Sequence, residues 1–203
     1  MIVDFSTMSP KGIYHTMIQT LVPRPVAWVL SDSGNASYNV APFSYFMPIA
    51  SQPPLVAISV GHKPSGERKD TWRNIAERDV FVAHIASREF VEKVTESSRT
   101  LPHGVSELER IGLRTVPFAD FELPRLEGPR VAFACRRHRI IEIGDLPQGL
   151  VIGDVERVFV DDAAVREERG RLFVDAQIID PISRLGGDEY GLMGDVIAVP
   201  RPR

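Results

Sequence analysis

Pro42 interrupts the most strand-like part of this sequence, and few arrangements accept a proline there. Residues 26–30 (VAWVL) form an apolar run long enough for a buried strand and too short to require a helix. Asp32, Ser33, Gly34 and Asn35 make a turn cluster after it. A second run leads from Ser37 through Asn39, Val40, Ala41, Pro42, Phe43, Ser44 and Tyr45 to Phe46. Proline has no N–H for a ladder, so this strand must be an edge, carry a bulge or fray at Pro42. Backbone N–H groups around the break are then available to a ligand, with the side chains of Asn39 and Ser44 beside them. The aromatic rings at positions 43, 45 and 46 add flat apolar surface. A broken strand end with spare donors next to rings suits a planar heterocycle with polar edges.

The remaining pattern is mainly β. Ser9 and Pro10 open a helix over residues 10–20, with Ile13, Met17 and Leu21 on one face beside Tyr14 and Ile18. Pro23 and Pro25 end it and start the first strand. Residues 55–60 form a third strand, and 61–69 (GHKPSGERK) a polar, basic loop. Asp70 or Thr71 caps a short helix that turns Trp72, Ile75 and Ala76 inward. A strand follows at 80–85, then a helix opened by Ser87 with Phe90, Val91 and Val94 on one face. Ser106 and Glu109 suit a capping box over one further turn that Gly112 closes. Residues 113–116, 130–143, 150–160 and 171–174 are strands divided by Pro, Gly and acidic turns. Helices do not alternate with strands, which points to a β-barrel with accessory helices in one domain, residues 1–203.

Several function classes are disfavoured. A net charge of −3 over 203 residues gives no general attraction to nucleic acid. Residues 136–139 (Arg-Arg-His-Arg) are basic, but alternation sends them to both faces of a strand, as a solvated face and a dimer contact. The single cysteine, Cys135, excludes an intrachain disulfide and leaves too few thiolates for an iron–sulfur or Cys-type zinc site. His15, His62, His84, His103 and His138 show no metal-type pairing, and His84 suits a core or interface position. Gly61 and Gly66 have P-loop spacing, but Glu67 and Arg68 follow where Lys and Ser or Thr are needed. No G-x-G-x-x-G follows a strand, so no dedicated dinucleotide domain is expected. No apolar run approaches a membrane span, and residues 1–9 lack the pattern of a signal peptide, so the cytoplasm is the expected compartment. The sequon at Asn35 is then a chance match.

Arg68, Lys69, Thr71 and Asn74 are the other candidates for chemistry. A helix start favours anions, and two cations before it with a hydroxyl inside it suit a phosphate monoester. A capped surface helix with a solvated basic entry gives the same pattern.

VPRPVAWV, NVAPFSYF, PPLVAISV and RKDTWRNI, in that order, resemble the successive signatures of the flavin reductase-like, FMN-binding split-barrel family, the flavoredoxin group in particular. The resemblance runs from about Tyr14 to Asn74, with an echo at residues 181–190. It implies a Greek-key split β-barrel with accessory helices, built as a homodimer with flavin at the subunit interface. It places the FMN phosphate at Lys69 and Thr71, with Arg68 and Asn74 near it and Asp70 capping the helix. It lays Asn39, Ala41, Pro42, Phe43 and Ser44 along the ring system, while Phe46 belongs to the core. Arg24 either reaches the cofactor or ties the barrel end. Arg184 and Tyr190 either cover a substrate or strap the barrel. The implied activity is transfer of electrons from NADH or NADPH to flavin, and on to free flavin or a partner protein. It names no catalytic side chain. An electron carrier without a nicotinamide site, a pyridoxamine-phosphate oxidase-like enzyme and a haem-binding protein use the same fold.

Overall fold

Both faces of the 26–30 run are buried. Ala27 and Val29 join one hydrophobic cluster, and Trp28 and Leu30 join another. The 80–85 run divides the same way, with Phe81 and Ala83 in the first cluster and Val80 and Val82 in the second. Alternate side chains of a strand point to opposite faces, so a sheet apolar on both needs a layer on each side. Closing the sheet on itself supplies one of those layers.

The computed structural model describes residues 1–34, 37–102, 104–145, 147–168, 170–200 and 202. Asn35, the last residue of the expected turn, and His103 lie outside them. Among the described residues seven strands form one antiparallel sheet: β1 (Ala27–Gly34), β2 (Ser37–Phe43), β3 (Phe46–Ser51), β4 (Pro54–Val60), β5 (Val80–Ile85), β6 (Val131–Ile143) and β7 (Gln148–Val160). Their order is β2-β1-β5-β6-β7-β4-β3. The two edge strands, β2 and β3, are joined through Ser44 and Tyr45 alone. Three residues of chain reach at most about 11 Å, so the edges must come together. The sheet is curled into a barrel that is open along the β2/β3 seam.

The barrel interior holds Phe43, Phe46, Ile58, Val60, Phe81 and Val151, with Trp72 and Ile75 from helix α2 (Asp70–Arg78). Two glycines of β7 make room for rings. A Cβ on Gly149 would meet the Trp72 ring at 2.7 Å, and one on Gly153 would meet Phe81 at 2.5 Å.

Five helices are described: α1 (Pro10–Thr20), α2 (Asp70–Arg78), α3 (Val91–Glu96), α4 (Glu107–Ile111) and α5 (Ala176–Ile179). The outer cluster is covered by α3, α4 and residues 113–126, which supply Val94, Leu108, Ile111, Phe118, Leu123 and Leu126. Trp28 donates to Ser97 Oγ at 2.8 Å and so ties β1 to the end of α3. Ser106 caps α4, accepting from the Leu108 N–H, and Gly112 ends it in the left-handed region. The expected capping box differs in detail, since the cap bond goes to Leu108 rather than to Glu109. Helix α1 starts at a Ser9 cap as expected but has no fully buried residue, and Tyr14 is 57% exposed. Its apolar stripe is therefore incompletely covered within one chain.

The expected strand at 113–116 is only the two-residue pair Thr115–Val116, bridged to Arg125–Leu126. Arg171–Val174 pairs with Val165–Glu168 as a separate hairpin. The cations of β6 meet carboxylates: Arg136 bonds Glu122 and Glu156, Arg137 bonds Asp79, and His138 bonds Asp154. Among the described residues no cluster has the make-up of a metal site, and no helix is long and apolar enough to cross a membrane.

His84 is fully buried on β5. Its Nδ1 lies 2.9 Å from the Trp28 carbonyl, and Nε2 accepts the Leu126 N–H at 2.9 Å. That pairing fixes the neutral ring with its proton on Nδ1. Burial holds the pKa down to about 4 from 6.5, with the Trp28 carbonyl opposing the shift and Arg125 adding to it. The unfolded chain binds more protons between those values. This contribution, on the order of 3 kcal/mol, is therefore complete above about pH 6.5 and is lost as pH falls toward 4. Urea unfolding at pH 7 and pH 4.5 should show a lower midpoint at the acid value. His84→Gln should start less stable and lose less over the same interval. An identical pH dependence in both proteins would assign the effect elsewhere.

Candidate functional site

Pro42 sits where its missing N–H costs no ladder bond. Ser106 Oγ donates to the Tyr38 carbonyl at 2.7 Å, and the Val40 N–H donates to Glu107 Oε2 at 3.1 Å. Tyr38 and Val40 thus turn their backbone away from β1, and alternation puts Pro42 in the same outward set. β2 is an edge strand, one of the three arrangements that the proline allows. The N–H of Val40 is taken by Glu107, so it is not a spare donor.

Helix α2 starts beside this edge. Lys69 occupies its N-cap position without a side-chain cap bond. The expected cap, Asp70, is the first helical residue instead, and its carboxylate pairs with Lys63 Nζ at 2.7 Å. The N-cap side chain thus satisfies none of the first-turn N–H groups, and the positive end of the helix dipole lies at the same place. Thr71 Oγ1 accepts from Asn39 Nδ2 at 2.9 Å, which fastens the helix start to β2.

A small cavity of about 60 Å³ opens between these elements, lined by Asn39, Ala41, Lys69, Asp70, Thr71 and Glu107, and by residues 97–101. A wider cleft of about 470 Å³ adjoins it, lined by Phe43, Ser44, Tyr45, Tyr14, His15, His62, Arg24 and Arg184 among others. Pro42 and Lys69 line both, so the two spaces share a wall at the end of β2.

The charges are unevenly matched. Lys63 and Asp70 neutralise one another. Glu107 is 4% exposed, and burial pushes its pKa up while the Val40 N–H works the other way. Lys69 makes no ion pair among the described residues, and its ammonium lies 5.6 Å over the Phe43 ring. The residue is exposed to the open cleft, yet the protein crowding it lowers its pKa by desolvation. The arrangement suits an elongated molecule with an anionic end at α2 and a flat body along residues 41–45.

The structure brings Asn39, Ala41, Pro42, Lys69 and Thr71 to the small cavity and Phe43 and Ser44 to the wider cleft. Two candidates lie elsewhere. Arg68 stacks over Trp72 at 4.7 Å and bonds Glu142 at 2.5 Å. Asn74 is buried and donates to Ser31 and Ser33 at 3.1 Å each. Arg24 borders the wider cleft, but it is 8% exposed and its donors go to the carbonyls of Ile18, Leu21 and Leu185 and to Ser44 Oγ. It ties the barrel end. The tail straps the barrel and also borders the cleft. Ser183–Arg184 pairs with Arg24–Pro25 and with Tyr190–Gly191, while Arg184, Gly187 and Asp188 line the wider cleft.

Lys63, Glu107 and residues 97–100 were not singled out from the sequence. The run Ser97-Ser98-Arg99-Thr100 was the available signal, three hydroxyls around an arginine directly after a helix. Of these, Ser97 is occupied by Trp28 and the Val94 carbonyl, and Arg99 by Glu96. Arg99 and Arg110 together hold the Glu96 carboxyl down to about 2.

The flavin reductase-like domain profile matches residues 19–176. An uncharacterized protein of Halalkalibacterium halodurans is 36% identical over 200 residues, 97% of this chain and 94% of that one. Nitrilotriacetate monooxygenase component B from Bacillus cereus superposes with a TM-score of 0.89 at 33% identity, covering 98% of each chain. The 2-nitrobenzoate 2-nitroreductase of Pseudomonas fluorescens gives a TM-score of 0.89 at 27% identity, covering 100% of this chain and 96% of that one. The profile match takes in the whole of β1 to β7 and both edges of the seam; the chain belongs to the flavin reductase-like family of split-barrel flavoproteins.

Proposed function

We propose that the chain binds FMN in the cleft at the seam and works as an NAD(P)H-dependent oxidoreductase. Electrons would pass from NADH or NADPH to the flavin, and then to free flavin, another small acceptor or a partner protein. One observation carries this reading. The start of α2, without a side-chain cap and flanked by Lys69 and Thr71, shares a wall with the cleft along residues 42–45.

FMN, when bound, supplies one- and two-electron chemistry. Lys69, Thr71 and the first N–H groups of α2 would hold its phosphate. Residues 41–44 would border the ring system, and the Lys63–Asp70 pair keeps the Asp70 carboxylate from opposing the anion. Two relatives are redox components by name, a monooxygenase component and a nitroreductase, which supports an oxidoreductase role here. The width of the cleft supports room for a second planar molecule, and Arg184 in its lining suits an anionic co-substrate.

A homodimer completes the proposal. Tyr45 and Met47 are 41% and 55% exposed beside the seam, and Tyr14 of the incompletely covered α1 lines the same cleft. A second copy lying on this surface would cover it and wall the open side of the flavin site. The cytoplasm, which holds the nicotinamide pools, fits the proposed chemistry.

Four measurements test these statements. Denaturing the purified protein should release FMN, and the apoprotein should prefer FMN to riboflavin. Lys69→Ala should weaken FMN binding by roughly tenfold to a hundredfold, the worth of one charge-assisted hydrogen bond. Equal affinity for both flavins would remove the phosphate assignment. Anaerobic mixing with NADH or NADPH should bleach the flavin in stopped flow; tightly bound FMN that neither nicotinamide bleaches would leave an electron carrier. Light scattering should give twice the chain mass, whereas a monomer with full flavin affinity would count against a shared site.

A further inference from the structure

Asn39 stands on β2 and Thr71 in the first turn of α2, and both line the small cavity while being 5% and 1% exposed. Asn39 Nδ2 donates to Thr71 Oγ1 at 2.9 Å. A threonine hydroxyl has one proton and two lone pairs. With a lone pair of Oγ1 engaged by the amide, its proton is left for another acceptor, and among the described residues Thr71 Oγ1 donates to none. The amide has support of its own, since Asn39 Nδ2 lies 3.5 Å from Ser31 Oγ, which also accepts from Asn74 at 3.1 Å. Asn39 is thus held by the barrel wall rather than by a ligand.

We infer that Asn39 is a positioning residue: it turns the Thr71 hydroxyl proton into the small cavity, where that proton is donated to a phosphoryl oxygen. This rests on the reading of the cavity as the site of the flavin phosphate, and it moves Asn39 away from the ring. The arrangement selects against a ligand that has no anionic group. An acceptor at position 39 would draw the Thr71 proton back to itself and leave a lone pair facing the anion.

The readout is the ratio of dissociation constants for riboflavin and FMN, measured on the apoprotein by fluorescence quenching. A general loosening of the fold moves both constants together and leaves the ratio alone. Thr71→Val should lower the ratio roughly tenfold or more, and Thr71→Ser should retain it. Asn39→Ala should lower it by about threefold to tenfold, and the Asn39→Ala/Thr71→Val double variant should match Thr71→Val alone. Asn39→Asp, nearly isosteric and able only to accept, should lose at least as much as Asn39→Ala, and it carries the test if the alanine variant does not fold. An unchanged ratio in Asn39→Ala or Asn39→Asp would overturn the positioning role, as would multiplicative losses in the double variant. A wild-type protein without preference for FMN over riboflavin would overturn the phosphate reading and this inference with it. A wild-type preference that ignores position 39 would overturn this inference alone.

Discussion

The link Ser44–Tyr45 joins the two edges of one sheet, and most of the structure follows from how short it is. Two residues cannot bridge the width of an open seven-stranded sheet, because neighbouring strands lie nearly 5 Å apart. The sheet must therefore curl until β2 and β3 face one another. Closure gives β1 and β5 a buried inner face, and α3, α4 and the 113–126 segment give them a buried outer one. The same link leaves a seam where the edge strand β2 carries Pro42 just before its last residue. The cleft lies at that seam, so closure of the fold and placement of the site have one cause.

Polar groups at the seam are matched by partners drawn from distant parts of the chain. The edge of β2 is met by Ser106 and Glu107, and Asn39 meets Thr71. Burying such groups without partners would cost several kcal/mol each, so these bonds specify how α2 and α4 dock on the strand. Among the described residues, Asn74 Oδ1 and Ser87 Oγ are buried without a hydrogen-bond partner. What the seam does not neutralise is Lys69. An ammonium that makes no ion pair among the described residues, beside a helix start whose N-cap side chain makes no cap bond, favours an anion there in a protein of net charge −3.

Much of this was legible in the residues. The mixture of short apolar runs with Pro, Gly and acidic turns gave a β-barrel with accessory helices, and the order of four signatures gave the family. Asn39, Ala41, Pro42, Phe43, Ser44, Lys69 and Thr71 were expected to face a ligand because a proline breaks a strand and cations precede a helix, and all seven line the small cavity or the wider cleft. Arg68 and Asn74 share that neighbourhood in sequence without sharing the cleft. Arg68 precedes the helix and swings onto Trp72 and Glu142, and Asn74 falls a turn further along α2, facing Ser31 and Ser33. Adjacency along the chain does not fix which way a side chain leaves it.

The sequence by itself determined most of the elements, their apolar faces and the limit of β2 to an edge, a bulge or a frayed end, because these depend on periodicity, turn chemistry and the missing N–H of one proline; the sheet order then made β2 an edge. Tertiary structure alone decided that Glu107 and residues 97–101 reach the small cavity, that Arg24 ties the end of α1 to the tail, and that Asn39 meets Thr71 rather than open cleft. Asn39 and Thr71 are 32 positions apart, and Arg24 and Leu185 are 161 apart. Local pattern carries no information about such distances; the closure of the sheet sets them.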